Sequence, residues 1–252
     1  MKTRPVVSLP VAAALAGALA ISVPASAVAQ QTAPSGQATA VSIIAGHNVV
    51  DAVDDVRGSV VEVIDSLLEA GTELNIANWD ERKIKLKLMR EELEEMEQVL
   101  DQKAEATDAS WLSWLGDDDY GVTVTQQIRA LGMHLKEISA MLGGSWDTRT
   151  MEIIVGQNVL DQLEDLRETT DDLLNALEDV GPEYGWTYDP QEFEKARLAL
   201  ARLEQNLNRK REGGDAELRM LLKEQEYHVF AYENVDTLAT ILLNLLQPKQ
   251  GE

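Results

Sequence analysis

Ile43-Ile44-Ala45-Gly46-His47-Asn48-Val49-Val50-Asp51 returns 110 residues later as Ile153-Ile154-Val155-Gly156-Gln157-Asn158-Val159-Leu160-Asp161. Asp55/Asp165, Arg57/Arg167 and Gly71/Gly181 keep the same offset. Beyond the next loop the offset falls to 107, and Trp79/Trp186, Leu86/Phe193, Arg90/Arg197, Leu93/Leu200, Met96/Leu203, Glu97/Glu204 and Gln98/Gln205 align. Ile128/Val235, Leu131/Leu238, Leu135/Leu242 and Ile138/Leu245 follow at that spacing. Identity fades along the unit while the apolar spacing persists, which is the pattern of a diverged duplication.

The spacing within each copy is helical. Val49, Val53, Val56, Val60, Ile64 and Leu67 recur at intervals of three and four, the seam of a bundle or coiled-coil helix. Val159, Leu163, Leu166, Leu174 and Leu177 repeat it, with Thr170 as one polar member. Second helices follow from Leu86, Met89, Leu93, Met96 and Leu100 and from Phe193, Ala196, Leu200, Leu203 and Leu207. Third helices follow from Val124, Ile128, Leu131, Leu135, Ile138 and Leu142, and from a twin ending near Leu245 before Pro248. No stretch reads as a convincing strand.

These readings give an all-α fold, a tandem duplication of an antiparallel three-helix unit with six main helices in an elongated bundle. Residues 41–146 form the first unit and 147–252 the second. Successive helices joined by short connections run antiparallel. An odd number per unit therefore starts the second copy in the opposite direction, and a pseudo-twofold axis relates the copies.

Residues 1–29 read as a cleaved signal peptide. Lys2 and Arg4 precede the apolar run Val11–Ile21, and Ala25-Ser26-Ala27 and Ala27-Val28-Ala29 are small-x-small cleavage sites. The mature chain is expected to begin near Val28 or Gln30, in the periplasm or outside the cell. Residues 30–40, QQTAPSGQATA, read as a flexible linker. No later segment is long and apolar enough to span a bilayer. The chain has no cysteine, which excludes disulfides, thiolate metal sites and a cysteine nucleophile. Without Lys2 and Arg4, Lys+Arg falls from 22 to 20 against 44 Asp+Glu, a net charge of −24. Such a charge repels nucleic acid and favours cations and basic partners.

Several residues stand out as candidates. Gly46 and Gly156 occur early in equivalent helices, where glycine costs about 1 kcal/mol against alanine. Close helix packing is the expected reason. Asn48, Asp51 and Asp55, with Asn158, Asp161 and Asp165, form a polar stripe on each first helix. Their oxygens suit a hard cation, although one helix offers only a shallow arc. The histidines, His47, His134 and His228, share no spacing, and neither paired Glu-x-x-His nor His-Glu-x-x-His occurs. No metal ligand set, cofactor or catalytic residue is assigned.

In the second helix, Arg82, Lys83, Lys85, Lys87 and Arg90 precede Glu91, Glu92, Glu94, Glu95 and Glu97. That order opposes the helix dipole, and the acidic half lacks an evident partner. The basic half is expected beside Glu62, Asp65, Glu69 and Glu73 of the first helix. Ser110–Gly121 stands where the second copy carries Gly213-Gly214, and is expected to be an insertion. Trp111, Trp114 and Leu115 would share one face of a very short helix, an apolar centre rimmed by Asp117, Asp118 and Asp119. They are the candidate partner-binding residues; a plug over the bundle end is the competing role. The function expected is an exported non-enzymatic scaffold or protein-interaction module with a basic protein partner, self-association being compatible with it. A binding protein for a cation or small ligand held between the units is the alternative.

Overall fold

A computed structural model describes residues 36–73, 78–116, 119–143, 147–180, 186–187, 189–224 and 226–248. The expected signal peptide, residues 1–29, and linker residues 30–35 lie outside the described residues. Helix α1, Gly36–Glu73, begins inside the stretch expected to be linker, so residues 36–40 are helical. The chain continues as α2 (Trp79–Ala104), α3 (Asp108–Gly116), α4 (Asp119–Leu142), a single 3₁₀ turn at Thr148–Thr150, and α5 (Ile153–Val180). Then come β1 (Trp186–Thr187), α6 (Pro190–Glu212), α7 (Gly214–Lys223), α8 (Tyr227–Leu245) and β2 (Gln247–Pro248). The described residues thus hold six long helices and two short ones. The sequence reading of three main helices per half places a very short helix at Trp111, Trp114 and Leu115, which is α3, and does not include α7. Two-residue β1 and β2 pair antiparallel, Trp186 opposite Pro248.

Local chemistry accounts for the helix ends. Pro190 opens α6 without needing a donor, and the Asp189 carboxylate accepts from the Gln191 amide at 2.9 Å. Gly214, at φ 58°, makes the turn from α6 into α7 in a backbone region that a side chain disfavours. Helix α2 places Asp80 and Glu81 in its first turn and Lys103 in its last. Its ends therefore suit the dipole, and the opposing charge order is confined to the middle turns.

Helix α1 packs on α5, and α4 on α8, through the two most extensive helix contacts. The Thr169 hydroxyl donates to the Ser59 hydroxyl at 3.2 Å across α1 and α5. Four residues back from Ser59, Asp55 feels the charge of Asp172, three residues beyond Thr169, so the two helices run antiparallel. Gly132 lies against Leu243 and Ser139 bonds Asp236 at 3.0 Å, so α4 and α8 are antiparallel as well. Arg57–Glu97 at 3.1 Å and Arg90–Asp65 at 3.1 Å set α2 antiparallel to α1. Helix α2 flanks α1 and α4, while α6 flanks α5 and α8.

The seam residues predicted from spacing are the core: Val49, Val53, Val56, Val60, Ile64 and Leu67 are buried, as are Val159, Leu163, Leu166, Leu174 and Leu177. Thr170 is fully buried and its hydroxyl donates to the Leu166 carbonyl at 2.7 Å, which removes the cost of a polar group in the seam. All described helices belong to one compact unit, Pro34–Glu252.

Candidate functional site

Trp111 and Trp114 are not on the surface. Trp111 is 0% exposed and Trp114 8%, while Leu112 between them is 41% exposed. The α3 helix turns its aromatic side inward: the Trp111 and Trp114 ring centroids are 5.0 Å apart, and Trp114 meets Tyr120 at 4.8 Å, edge to face. His47 lies on Trp111 at 3.9 Å, and Lys103 Nζ sits 4.5 Å above Trp114. Leu115, half-buried, packs against the core with them. These three residues are therefore not available as a docking face; they close one end of the helix bundle. Apolar area decides it, because the chain can bury two indoles there against α1 and α4. Both indole N–H groups are buried without a hydrogen-bond partner among the described residues, so the rings contribute through packing and the contacts of their faces and edges.

The 107-residue offset brings this segment to α7 rather than to a bare turn. Leu218, Leu221 and Leu222 of α7 are buried as Trp111, Trp114 and Leu115 of α3 are packed, 107 residues earlier. Tyr120 donates to the Gly46 carbonyl at 3.0 Å, and Tyr227 donates to the Gly156 carbonyl at 2.8 Å. Burial and the charge of Asp161 push the Tyr227 phenol far above its ordinary value, so it remains a donor. The Thr148 hydroxyl, also buried, ties α7 to the preceding turn through the Leu222 carbonyl at 2.6 Å.

Gly46 lies beneath α3 and Gly156 beneath α7, with different clearances. A Cβ on Gly46 would stand 3.1 Å from Leu115 and 3.3 Å from Trp111; on Gly156 nothing comes nearer than 3.6 Å. We expect Gly46→Leu to cost about 1–3 kcal/mol through overpacking. Gly156→Ala should be neutral or stabilise by up to about 1 kcal/mol through helix propensity. Urea titrations of both variants check this, and equal effects at the two sites would contradict it.

The polar stripes are spread along α1 and α5. Asn48, Asp51 and Asp55 are exposed; Asn158 and Asp161 are half-buried and Asp165 is exposed. The Gln157 amide donates to Asp161 at 2.9 Å. Partial loss of solvent around its carboxyl raises Asp55 above the usual range, and the charges of Asp54, Asp51 and Asp172 add to this. Asp51, Asp54, Asp55 and Asp101 line an open hollow of about 190 Å³ between α1 and α2. Among the described residues, no group of three or more His, Asp or Glu is placed to hold a metal ion.

The charged belt of α2 has more structure than its sequence suggested. Glu97 pairs with Arg57, which also bonds Asp54 at 2.6 Å, and Glu94 pairs with Arg90. In α5, Arg167 bonds Glu164 at 3.0 Å, repeating the Asp54–Arg57 spacing. The acidic half of α2 thus has partners for Glu94 and Glu97. Glu91 and Glu95 stay exposed.

His134 of α4 sits 3.6 Å from Glu92, and burial lowers its affinity for a proton despite Glu92 and Glu137, which act the other way. Below the ordinary imidazole value the unfolded chain binds more protons at this position than the folded one. Stability is therefore expected to fall as pH drops below about 6.5. His134→Gln should flatten that part of the curve. An unchanged slope in thermal melts taken across the range would contradict it.

A groove of about 270 Å³ runs between α6 and α8, lined by Ala199, Thr237, Thr240, Ile241 and Asn244 among others. Its threonine hydroxyls are already bonded to backbone carbonyls of their own helix. Compared with known proteins, the chain matches no protein-family model, no curated protein and no solved structure. Among the described residues, no helix is long and apolar enough to cross a membrane.

Proposed function

We propose that this chain is an exported, non-enzymatic helical module that acts by docking other protein surfaces on its outer helix faces. Exposed large apolar side chains occur on several helices, Ile44 of α1, Met133 of α4 and Ile154 of α5 among them, and the observation that carries the reading is their alignment on α2. Ile84, Leu88 and Val99 of α2 and Leu198 of α6 lie on the solvent side of helices whose other side is buried. Exposed apolar residues aligned on one face, amid charge, are the usual composition of a docking surface.

The same proposal includes the organisation of the chain: two copies of one four-helix unit about a pseudo-twofold axis. Ser59 and Thr169, equivalent at the 110-residue offset, touch each other, as residues on such an axis must. The paired tyrosine–glycine contacts support it further. A cation or ligand held between the halves has less support, because α1 and α5 close on each other along that seam.

The test uses the full chain expressed in a bacterium and recovered from the exported fraction, where mass spectrometry should place its N-terminus near Val28 or Gln30. Cross-linking should give defined protein adducts, lost in Leu88→Glu and Leu198→Glu variants that keep their helical circular dichroism. Absence of any adduct, together with a thermal midpoint raised by a titrated cation, would replace this reading with ligand binding.

A further inference from the structure

We propose that the partner is a second copy of this chain, the outward face of α2 on one molecule docking against the outward face of α6 on the next. This rests on the interaction-module reading above and specifies its surface. In α2 the inward positions are Leu86, Met89, Leu93, Met96 and Leu100. At 100° per residue the opposite line carries Ile84, Leu88, Glu91, Glu95 and Val99. In α6 the buried Phe193, Ala196, Leu200, Leu203 and Leu207 place Lys195, Leu198, Arg202 and Arg209 outward. The apolar members of both lines are between 40% and 60% exposed.

Charge complementarity selects the occupant. The chain has twice as many acidic as basic residues, 44 against 22, yet the outward line of α6 holds three bases around one leucine. Arg202 and Arg209 make no ion pair with a described residue, and neither do Glu91 and Glu95 on α2; Lys195 has only Glu192 on its own helix, at 2.5 Å. Glu194 flanks the basic line on one side, as Lys87 flanks the acidic one. At equivalent positions Glu95/Arg202 reverses sign, Leu88/Lys195 gains a base and Glu91/Leu198 loses an acid, while the inward Leu93/Leu200 is kept. Relaxed packing constraints explain that outward positions vary; at these three each change makes the α6 line more positive than the α2 line, while the flanking Lys87/Glu194 changes the other way.

Within one molecule the two faces cannot meet, because α2 flanks α1 and α4 whereas α6 flanks α5 and α8. Docking is then heterologous, a different surface on each partner, and leads to chains of copies unless the rotation closes a ring. Copies with a large negative net charge repel at distance, but salt screens that beyond about 8–10 Å. At contact, Glu91 and Glu95 against Lys195 and Arg202 are attractive, and the four apolar side chains lose water.

Sedimentation velocity on the purified protein at physiological salt tests this, with circular dichroism confirming the fold of each variant. The average mass should rise with concentration past that of a dimer. Glu91→Lys with Glu95→Lys should return the protein to monomer, and so should Lys195→Glu with Arg202→Glu. Mixing these two variants should restore association, because each then offers the face that the other needs. A monomeric parent at all concentrations overturns the proposal, and so does association that persists in both variants. If the monomeric parent captures a different protein through α2 or α6, self-docking fails while the interaction-module reading stands; if it captures nothing, both fail.

Discussion

Trp111→Ala combined with Trp114→Ala is expected to remove most of the stability of the chain. Truncating a buried tryptophan costs on the order of 3–5 kcal/mol, and domains of ordinary size hold only about 5–15 kcal/mol in total. The rings touch, so the double change will cost less than the sum of the single ones. Urea titration followed by circular dichroism measures it, with Leu112→Ala beside it as an exposed control expected within about 0.5 kcal/mol. Because neither indole N–H has a partner, Trp114→Phe should be much milder than Trp114→Ala: it loses area but removes an unsatisfied donor. A double variant as stable as the parent would return these residues to the surface and reopen them as a docking face.

The second large effect is expected at Gly132, where α4 crosses α8. A Cβ there would stand 2.9 Å from the Leu243 side chain and 3.1 Å from the Leu243 backbone nitrogen. A flexible side chain can move aside, but a helix backbone cannot move without its neighbours. Gly132→Leu should force α4 and α8 apart and cost about 1–3 kcal/mol or more, against a propensity gain of about 1. The reading is the urea midpoint, and a midpoint equal to or above the parent's would show that the crossing is looser than its geometry indicates. Sequence periodicity does not mark Gly132, because its equivalent in the second half is Ala239 and no repeated glycine draws attention to it.

The spacing predicts close packing at both Gly46 and Gly156; Gly46 is tight beneath Leu115 and Trp111, whereas Gly156 has room for a Cβ at ordinary contact distance. The spacing does not name Tyr120 and Tyr227, which are 107 residues apart and bond the two glycine carbonyls. The match was present in the sequence, but two conspicuous tryptophans opposite two leucines hid it. Trp111/Leu218, Trp114/Leu221, Leu115/Leu222 and Tyr120/Tyr227 become an alignment once burial rather than identity is compared.

What the sequence determined by itself was the helical class and the inward line of each long helix. An apolar period of three and four residues is a local property of the chain, and any compact arrangement must bury it. Tertiary structure alone decided which way α3 faces, that Glu97 of α2 meets Arg57 of α1, and that α4 meets α8 at Gly132. The physical reason is common to all three. A short helix with apolar residues, a basic block followed by an acidic one and a single glycine each have several acceptable local arrangements. Only the neighbouring helices, by offering area to cover, a charge to meet or a backbone to approach, select one of them.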